Sequence, residues 1–439
     1  MRGTTLTRRK PRIREAQPVK ISVVIPTRER GPYLDACLDT CLAVDDEDFE
    51  IVVSDNASQD GTHRIVERKQ DSRVVYVNTG RRVSMRANYE TALNAATGDY
   101  ILFIGDDDGV LPSGMRLLRR LITDFTPDAI GWRLIHYRWP SEEHLAQHGS
   151  LHLHAKAIYG EGRNKNPSAI LHDFERARIR SYKDGANLYH GCVARRVIEK
   201  VRSNGVYFNC QIPDVYASIG NLKHVERFLW VRHPLTIGGE SDRSSGRAVR
   251  AHAPVEDVTA RSFDMFVAEA DADPIGQGLD VTFRSVDAHT FASLRLVNEH
   301  VYENKLDINA QAWLCRIMAD VHRMPRAMAE HHREILAQFV TRRGMTDAFK
   351  EAEATAIPLI AKPPHVEKGR LRTRVAPFEI AVGDHEATAT VATAMRMLEG
   401  ILGDGYRPRF GGGRLSFSGL AQWMKARRNA NDLLRRESC

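Results

Sequence analysis

From Ile21 onward, runs of consecutive apolar and β-branched residues alternate with segments whose apolar residues recur at helical spacing. ISVVIPT (21–27) predicts a buried strand, and Arg30 to Ala43 a helix with Leu34, Cys37, Leu38, Cys41 and Leu42 on one face. FEIVVSD (49–55) predicts a second strand, 62–69 a short helix, VVYV (74–77) a third strand, Ala87 to Ala96 a helix and YILFIG (100–105) a fourth strand. Residues 113–124 read as a helix and AIGWRLI (129–135) as a strand. Such alternation with short connections implies an α/β domain built on a mostly parallel sheet with helices on both faces. In that architecture, ligands gather just beyond the carboxyl ends of the strands.

Beyond 135 the pattern loosens into a stretch rich in His and Arg, then recovers at 190–201 and 215–220. From about 256 it becomes largely helical, with Leu314, Ile317, Met318 and Val321 forming a core stripe within 308–324. Residues 361–382 read as a linker, 385–402 and 419–438 as helices, and 407–419 as a loop. The expected organisation is a basic tail (1–20), an α/β domain (21–250), a helical region (251–345), and a linker with a basic C-terminal extension (346–439).

Composition narrows the class. The 439 residues are 42% hydrophobic, and no run approaches the roughly 20 apolar residues that a membrane-spanning helix needs. The N-terminus lacks the apolar core of a secretory signal, and the six cysteines show no CxxC spacing, so a cytoplasmic setting is expected. The net charge of +7 is uneven: residues 1–20 carry +6, residues 361–439 another +6, and the 340 residues between them −5. A mildly acidic body with basic ends is not the pattern of a nucleic-acid-binding domain. The 419–438 helix, with Leu420, Trp423, Met424 and Leu434 on one side and Lys425, Arg428, Arg435 and Arg436 on another, allows peripheral contact with the inner face of a membrane, or packing on the protein's own body.

The densest chemical signal is GDDDGVLP (105–112), three adjacent carboxylates directly after a buried strand. They repel one another, so the turn is either freely solvated or organised around a cation; a hard divalent ion, Mn²⁺ or Mg²⁺, would suit it, its remaining positions filled by water and phosphates. Asp55 ends the second strand, so the strand-end rule places it on the same sheet edge. IPTRERGPYL (25–34), VVSDNASQDGT (52–62), Asn88 and AATGDYILFIGDDDGVLP (95–112), in this order and spacing, resemble the inverting family 2 glycosyltransferases of the GT-A fold, closely over about 21–125 and loosely to 245.

The resemblance implies a GT-A (Rossmann-like) nucleotide-diphospho-sugar transferase domain. In it, Pro26, Thr27 and Arg30 lie beside the nucleotide base, Asp55 contacts base or ribose, and Asn88 stands on the helix before the acidic strand. Asp106 and Asp107 face the ribose, and Asp108, with Asp106 as a second candidate, holds the metal bridging the donor's diphosphate. Arg86 is given no role, because Ala87 splits it from Asn88. The family's catalytic base stands roughly a hundred residues past the acidic motif. Asp214 in CQIPDVYASIG (210–220) fits, with a helix N-cap as its plain alternative and Asp184 as the competing acid. HPLTIGGESDRSSG (233–246) resembles the loop that folds over the donor, with His233 as a candidate metal or phosphate contact. The expected substrates are a nucleotide-sugar, foremost a UDP-sugar, and a saccharide or lipid-linked acceptor. A sugar nucleotidyltransferase and a non-catalytic nucleotide-sugar-binding relative are the alternatives.

Overall fold

In the computed structural model, the described residues are 19–141, 148–154, 157–242, 266–275, 278–360, 378–383, 385, 388–403, 406–410 and 417–437. Most of the basic N-terminal tail, the Ser244–Gly246 part of the Gly/Ser-rich loop and most of the linker lie outside them.

Strands β1 (Ile21–Thr27) and β2 (Phe49–Asp55) are buried almost throughout, which is why they read as continuous apolar runs rather than alternating ones. With β3 (Val74–Asn78) and β4 (Tyr100–Phe103) they form a parallel block in the order β3-β2-β1-β4. The connections are α1 (Gly31–Leu42), α2 (Thr62–Arg68) and α3 (Met85–Ala95). Cys37 and Cys41 face the core.

The full sheet has eight strands and is mostly parallel, with β10 and β9 running against the other six. A short β5 (Gly109–Val110) and helix α4 (Pro112–Phe125) follow the acidic turn. After β6 (Ala129–Trp132), β7 (Ile135–Arg138), β8 (Gly149–Leu153), β9 (Arg163–Lys165) and α5 (Pro167–Glu175), strand β10 (Gly191–Ala194) enters antiparallel between β4 and β6. Helices α6 (Arg195–Val201) and α7 (Pro213–Gly220) lead to β11 (Phe228–Val231), which adds parallel to β6 with β9 on its far side. A second sheet, in the order β13-β8-β7-β12-β5, uses β12 (Thr236–Glu240) and β13 (Phe378–Val382). Nothing in the hydrophobic pattern announced this sheet, because its strands are two to five residues long and find partners from distant parts of the chain.

The C-terminal helices are α8 (Val286–His300), α9 (Ala310–Val321), α10 (Arg326–Arg342), α11 (Thr346–Ile360), α12 (Val391–Leu402) and α13 (Phe417–Glu437). The α9 stripe is buried as its spacing predicts, with Trp313 added to it. The stretch read as a linker ends in β13, which pairs with β8 and joins the C-terminal part of the chain to the second sheet. Helix α13 rests on the body through Trp423, Ala426 and Ala430, whereas Met424 is 59% exposed. Among the described residues no helix is long and apolar enough to cross a membrane.

Candidate active site

Parallel register brings the chemistry to one edge. Thr27 at the end of β1 stands opposite Asp55 at the end of β2, and Asp55 opposite Asn78 of β3. Strand β4 runs beside β1 up to Val24 opposite Phe103, so the acidic turn follows at the level of Thr27. The loops leaving β1 and β2 carry Glu29 and Ala57 at φ of 52° and 51°, left-handed backbone that non-glycine residues adopt only where surroundings hold it. Asp55 accepts the Ser58 amide at 3.0 Å, the Tyr76 hydroxyl at 2.7 Å and the Asn78 amide at 3.3 Å.

The acidic turn links the two sheets, β4 on one side and β5 on the other, and its three carboxylates are buried, Asp106 and Asp107 sharing Arg30 and Asp108 engaged by other groups. Asp106 accepts the Thr27 hydroxyl at 2.7 Å and lies 2.8 Å from an Arg30 Nη. Burial, together with the charges of Asp107 and Asp108, pushes its carboxyl up to about 6 against the pull of Arg30 and Thr27. Asp107 meets the other Arg30 Nη and the Ser241 hydroxyl, both at 2.7 Å, and its carbonyl accepts Trp139 Nε1 at 2.9 Å. Asp108 accepts the amides of Gly105 (2.6 Å) and Gly239 (2.7 Å) and the Tyr189 hydroxyl (2.7 Å), with His190 Nε2 at 3.0 Å. Burial opposes its ionisation, but His190, Tyr189 and Gly239 outweigh that and hold its carboxyl below the usual range. Gly239 has to be glycine, since a Cβ there would stand 1.8 Å from the Asp107 carbonyl oxygen.

Asp214 is the second residue of α7, after Ile212 at the N-cap and Pro213 at the first position. The plain alternative of an N-cap therefore does not describe it. Burial raises its carboxyl above the ordinary range, with the Tyr182 hydroxyl and the Lys183 charge working the other way. Tyr89 on α3 connects it to the turn: burial, then the charge of Asp214, then those of Asp108, Asp106 and Asp107 push its hydroxyl well up. Four carboxylates from two distant stretches of chain thus act on one phenol. Asp184, the competing acid, lies 3.6 Å from Lys165.

Pro26 sits on β1 next to Thr27, and Arg30 heads α1 beside the turn. Asn88 is buried; it accepts the Ser54 hydroxyl at 2.7 Å and donates to the carbonyls of Ser54 (3.3 Å) and Thr27 (3.5 Å), bracing α3 against β1 and β2. His233 is enclosed by Tyr159 and Tyr406, accepts the Tyr159 amide at 3.2 Å, and is pushed down to about 3 by burial. The loop expected to fold over the donor begins as strand β12, which delivers Gly239 and Ser241 to the turn. Sequence reasoning missed Trp139, Tyr189, His190 and the pairing of Arg86 with Asp273, which also accepts the Ser84 hydroxyl. The Tyr-His pair just before a buried strand was the one local signal.

The donor set suits a hard divalent cation. It consists of carboxylate oxygens, and Oδ1 of Asp106 is buried without a hydrogen bond. A cation on Asp108 would share its oxygens with donors already in place. Among the described residues no group of three or more His, Cys, Asp or Glu is arranged around a common point as a metal cage.

Residues 22–201 match the family model "Glycosyl transferase family 2". The chain is 28% identical over 163 residues to the GalNAc(5)-diNAcBac-PP-undecaprenol beta-1,3-glucosyltransferase of Campylobacter jejuni subsp. jejuni serotype O:2, covering 36% of this chain and 48% of that one. It is 29% identical over 104 residues to the abequosyltransferase RfbV of Salmonella typhimurium, covering 23% and 31%. The chain thus matches about half the length, or less, of these relatives. The structure of S. aureus TarS 1-349 in complex with UDP-GlcNAc aligns with a TM-score of 0.43 at 13% identity, covering 77% of this chain and 92% of that one. The segment that supplies Thr27, Asp55 and the Asp106–Asp108 turn thus lies within residues 22–201, the part of the chain that matches glycosyl transferase family 2.

Proposed function

We propose that the protein transfers a glycosyl group from a nucleoside diphosphate sugar, foremost a UDP-sugar, to a hydroxyl acceptor on a saccharide or lipid-linked saccharide, with inversion at the anomeric carbon. The observation that carries this reading is the parallel register that sets Thr27, Asp55 and the buried acidic turn on one carboxyl edge of β1, β2 and β4. Asp55, beside Thr27 and Pro26, recognises the nucleoside. Asp214 accepts the proton of the acceptor hydroxyl as that oxygen bonds to the anomeric carbon, and the bond to the β-phosphate oxygen breaks with release of nucleoside diphosphate. Its raised affinity for protons suits a base better than an ordinary surface carboxylate would. Asp106 and Asp108 would hold a Mn²⁺ or Mg²⁺, which when bound neutralises charge on the leaving diphosphate. The named C. jejuni relative motivates the lipid-linked acceptor, and with it a peripheral position at the inner membrane face.

Transfer and hydrolysis assays with UDP-, GDP- and dTDP-sugars, with and without Mn²⁺, test the reading. Metal-stimulated release of nucleoside diphosphate supports it. Release of pyrophosphate from a nucleoside triphosphate and a sugar phosphate would mark a nucleotidyltransferase instead, and donor binding without turnover would mark a non-catalytic relative.

A further inference from the structure

Arg30 is the positive group that lies on the acidic turn. Its two Nη atoms reach Asp106 Oδ1 at 2.8 Å and Asp107 Oδ2 at 2.7 Å, and the second also donates to Ser241 at 2.6 Å. One guanidinium thus bridges two adjacent buried carboxylates that would otherwise repel each other. The bridge is imperfect: Asp106 Oδ1, although in ion-pair contact, has no hydrogen bond of good geometry, and the Arg30 Nε is buried without a partner. Asp108 is different, because backbone amides, Tyr189 and His190 engage it and Arg30 does not touch it. Within the turn, the carboxylate pair whose charge is balanced by an arginine side chain is therefore Asp106 with Asp107.

We propose that Arg30 and the divalent cation compete for Asp106, so that the donor's diphosphate must draw Arg30 away before the cation can settle on Asp106 and Asp108. This deepens the functional reading above and rests on it. Two positive groups cannot share these oxygens at contact distance without strong repulsion. A diphosphate offers the planar guanidinium paired oxygen acceptors for bidentate hydrogen bonding, as the carboxylates it leaves do. The side chain reaches solvent at the head of α1, where 16% of it is exposed, and the Tyr33 ring lies 5.4 Å from its guanidinium carbon. The consequence is ordered binding: the bare protein takes up metal weakly, and nucleotide and metal enter together.

The test is a titration of the full-length chain with Mn²⁺, free metal being read by electron paramagnetic resonance, in the absence and presence of UDP or GDP. In Arg30→Met, Mn²⁺ alone should bind about tenfold more tightly than in the wild type, or better, the scale on which an opposite charge at contact changes a carboxylate's proton affinity. Arg30→Lys, which keeps a positive charge, should stay near the wild type. Ser241→Ala loosens the anchorage of Arg30 without removing its charge and should give a gain of a few-fold; it serves as the readout if Arg30→Met does not fold. Equal or weaker Mn²⁺ affinity in folded Arg30→Met, or in Ser241→Ala where it stands in, overturns the competition. Failure of the functional reading looks different: no glycosyl transfer from any donor, whatever the variants do with Mn²⁺ alone.

Discussion

The edge formed by β1, β2 and β4 and the helices that follow residue 286 are both buried, but with opposite chemistry. At the edge, Thr27, Asp55, Asp106, Asp107 and Asp108 are each less than 5% exposed. Among the helices the equivalent positions are Phe291, Leu294, Trp313, Leu314 and Leu336, all fully buried. Burying apolar surface stabilises a fold at roughly 25 cal/mol per Å², whereas burying a carboxylate costs several kcal/mol unless charges and hydrogen bonds offset it. The helices therefore behave as scaffold. The edge keeps an expensive arrangement that an apolar substitute would stabilise better, which is expected where the charge itself is used.

Removing chemistry from the edge should leave the fold intact, and the largest such effect is expected at Asp214. Asp214→Asn should lower kcat by about 10² to 10⁴ with nucleoside diphosphate affinity unchanged, as measured by steady-state turnover and calorimetry. Near-normal transfer by the folded variant would move the base to Asp184. The reverse experiment belongs to the helices. Trp313→Ala removes a fully buried ring that stacks on Phe291 and donates to the Phe174 carbonyl at 2.7 Å. About 3–5 kcal/mol should be lost in denaturant unfolding, while the protein that remains folded binds nucleotide as before.

A finer division within the edge concerns Asp55. Asp55→Ala should weaken free nucleoside diphosphate and the full donor equally, by about 1–3 kcal/mol, the value of hydrogen bonds to a charged group. If the donor alone were affected, Asp55 would face the sugar. The smallest expected effect is pH dependence from histidines buried outside the edge. Burial pushes His233 down to about 3 and His289 to about 4. The unfolded chain takes up protons at these positions near pH 6.5 and the folded one does not, so stability is undiminished above about 6.5 and falls as pH drops toward the folded values. The loss at pH 5 should be on the order of 1–2 kcal/mol for each histidine, read from the slope of unfolding free energy against pH. His233→Gln, which keeps an acceptor for the Tyr159 amide, should flatten that slope.

Legibility followed the range of the interactions. The bounds of β1 and β2 and the α9 stripe were visible because each depends on its own residues: β-branched runs that suit both buried faces of a parallel strand, and apolar spacing that suits one helix face. The carboxylates at 55 and 106–108 were visible because strand ends fix their level on the sheet. The antiparallel entry of β10, the second sheet and the packed face of α13 were not, since each is chosen by partners far away in sequence. Met424 shows this well: helical spacing allowed it to share a face with Trp423, but α13 turns Trp423, Ala426 and Ala430 inward instead.

The sequence by itself determined which residues carry charge, which strands are buried and in what order the acids arrive, because composition and local periodicity are properties of the chain. Only the tertiary structure decided how those charges are balanced: Arg30 on Asp106 and Asp107, and Tyr189, His190 and Gly239 on Asp108. The reason is electrostatic. A carboxylate's environment is set by whatever lies within a few ångströms once water is excluded, and here the groups that fill that distance come from β12 and the segment before β10 as well as from the neighbouring loops.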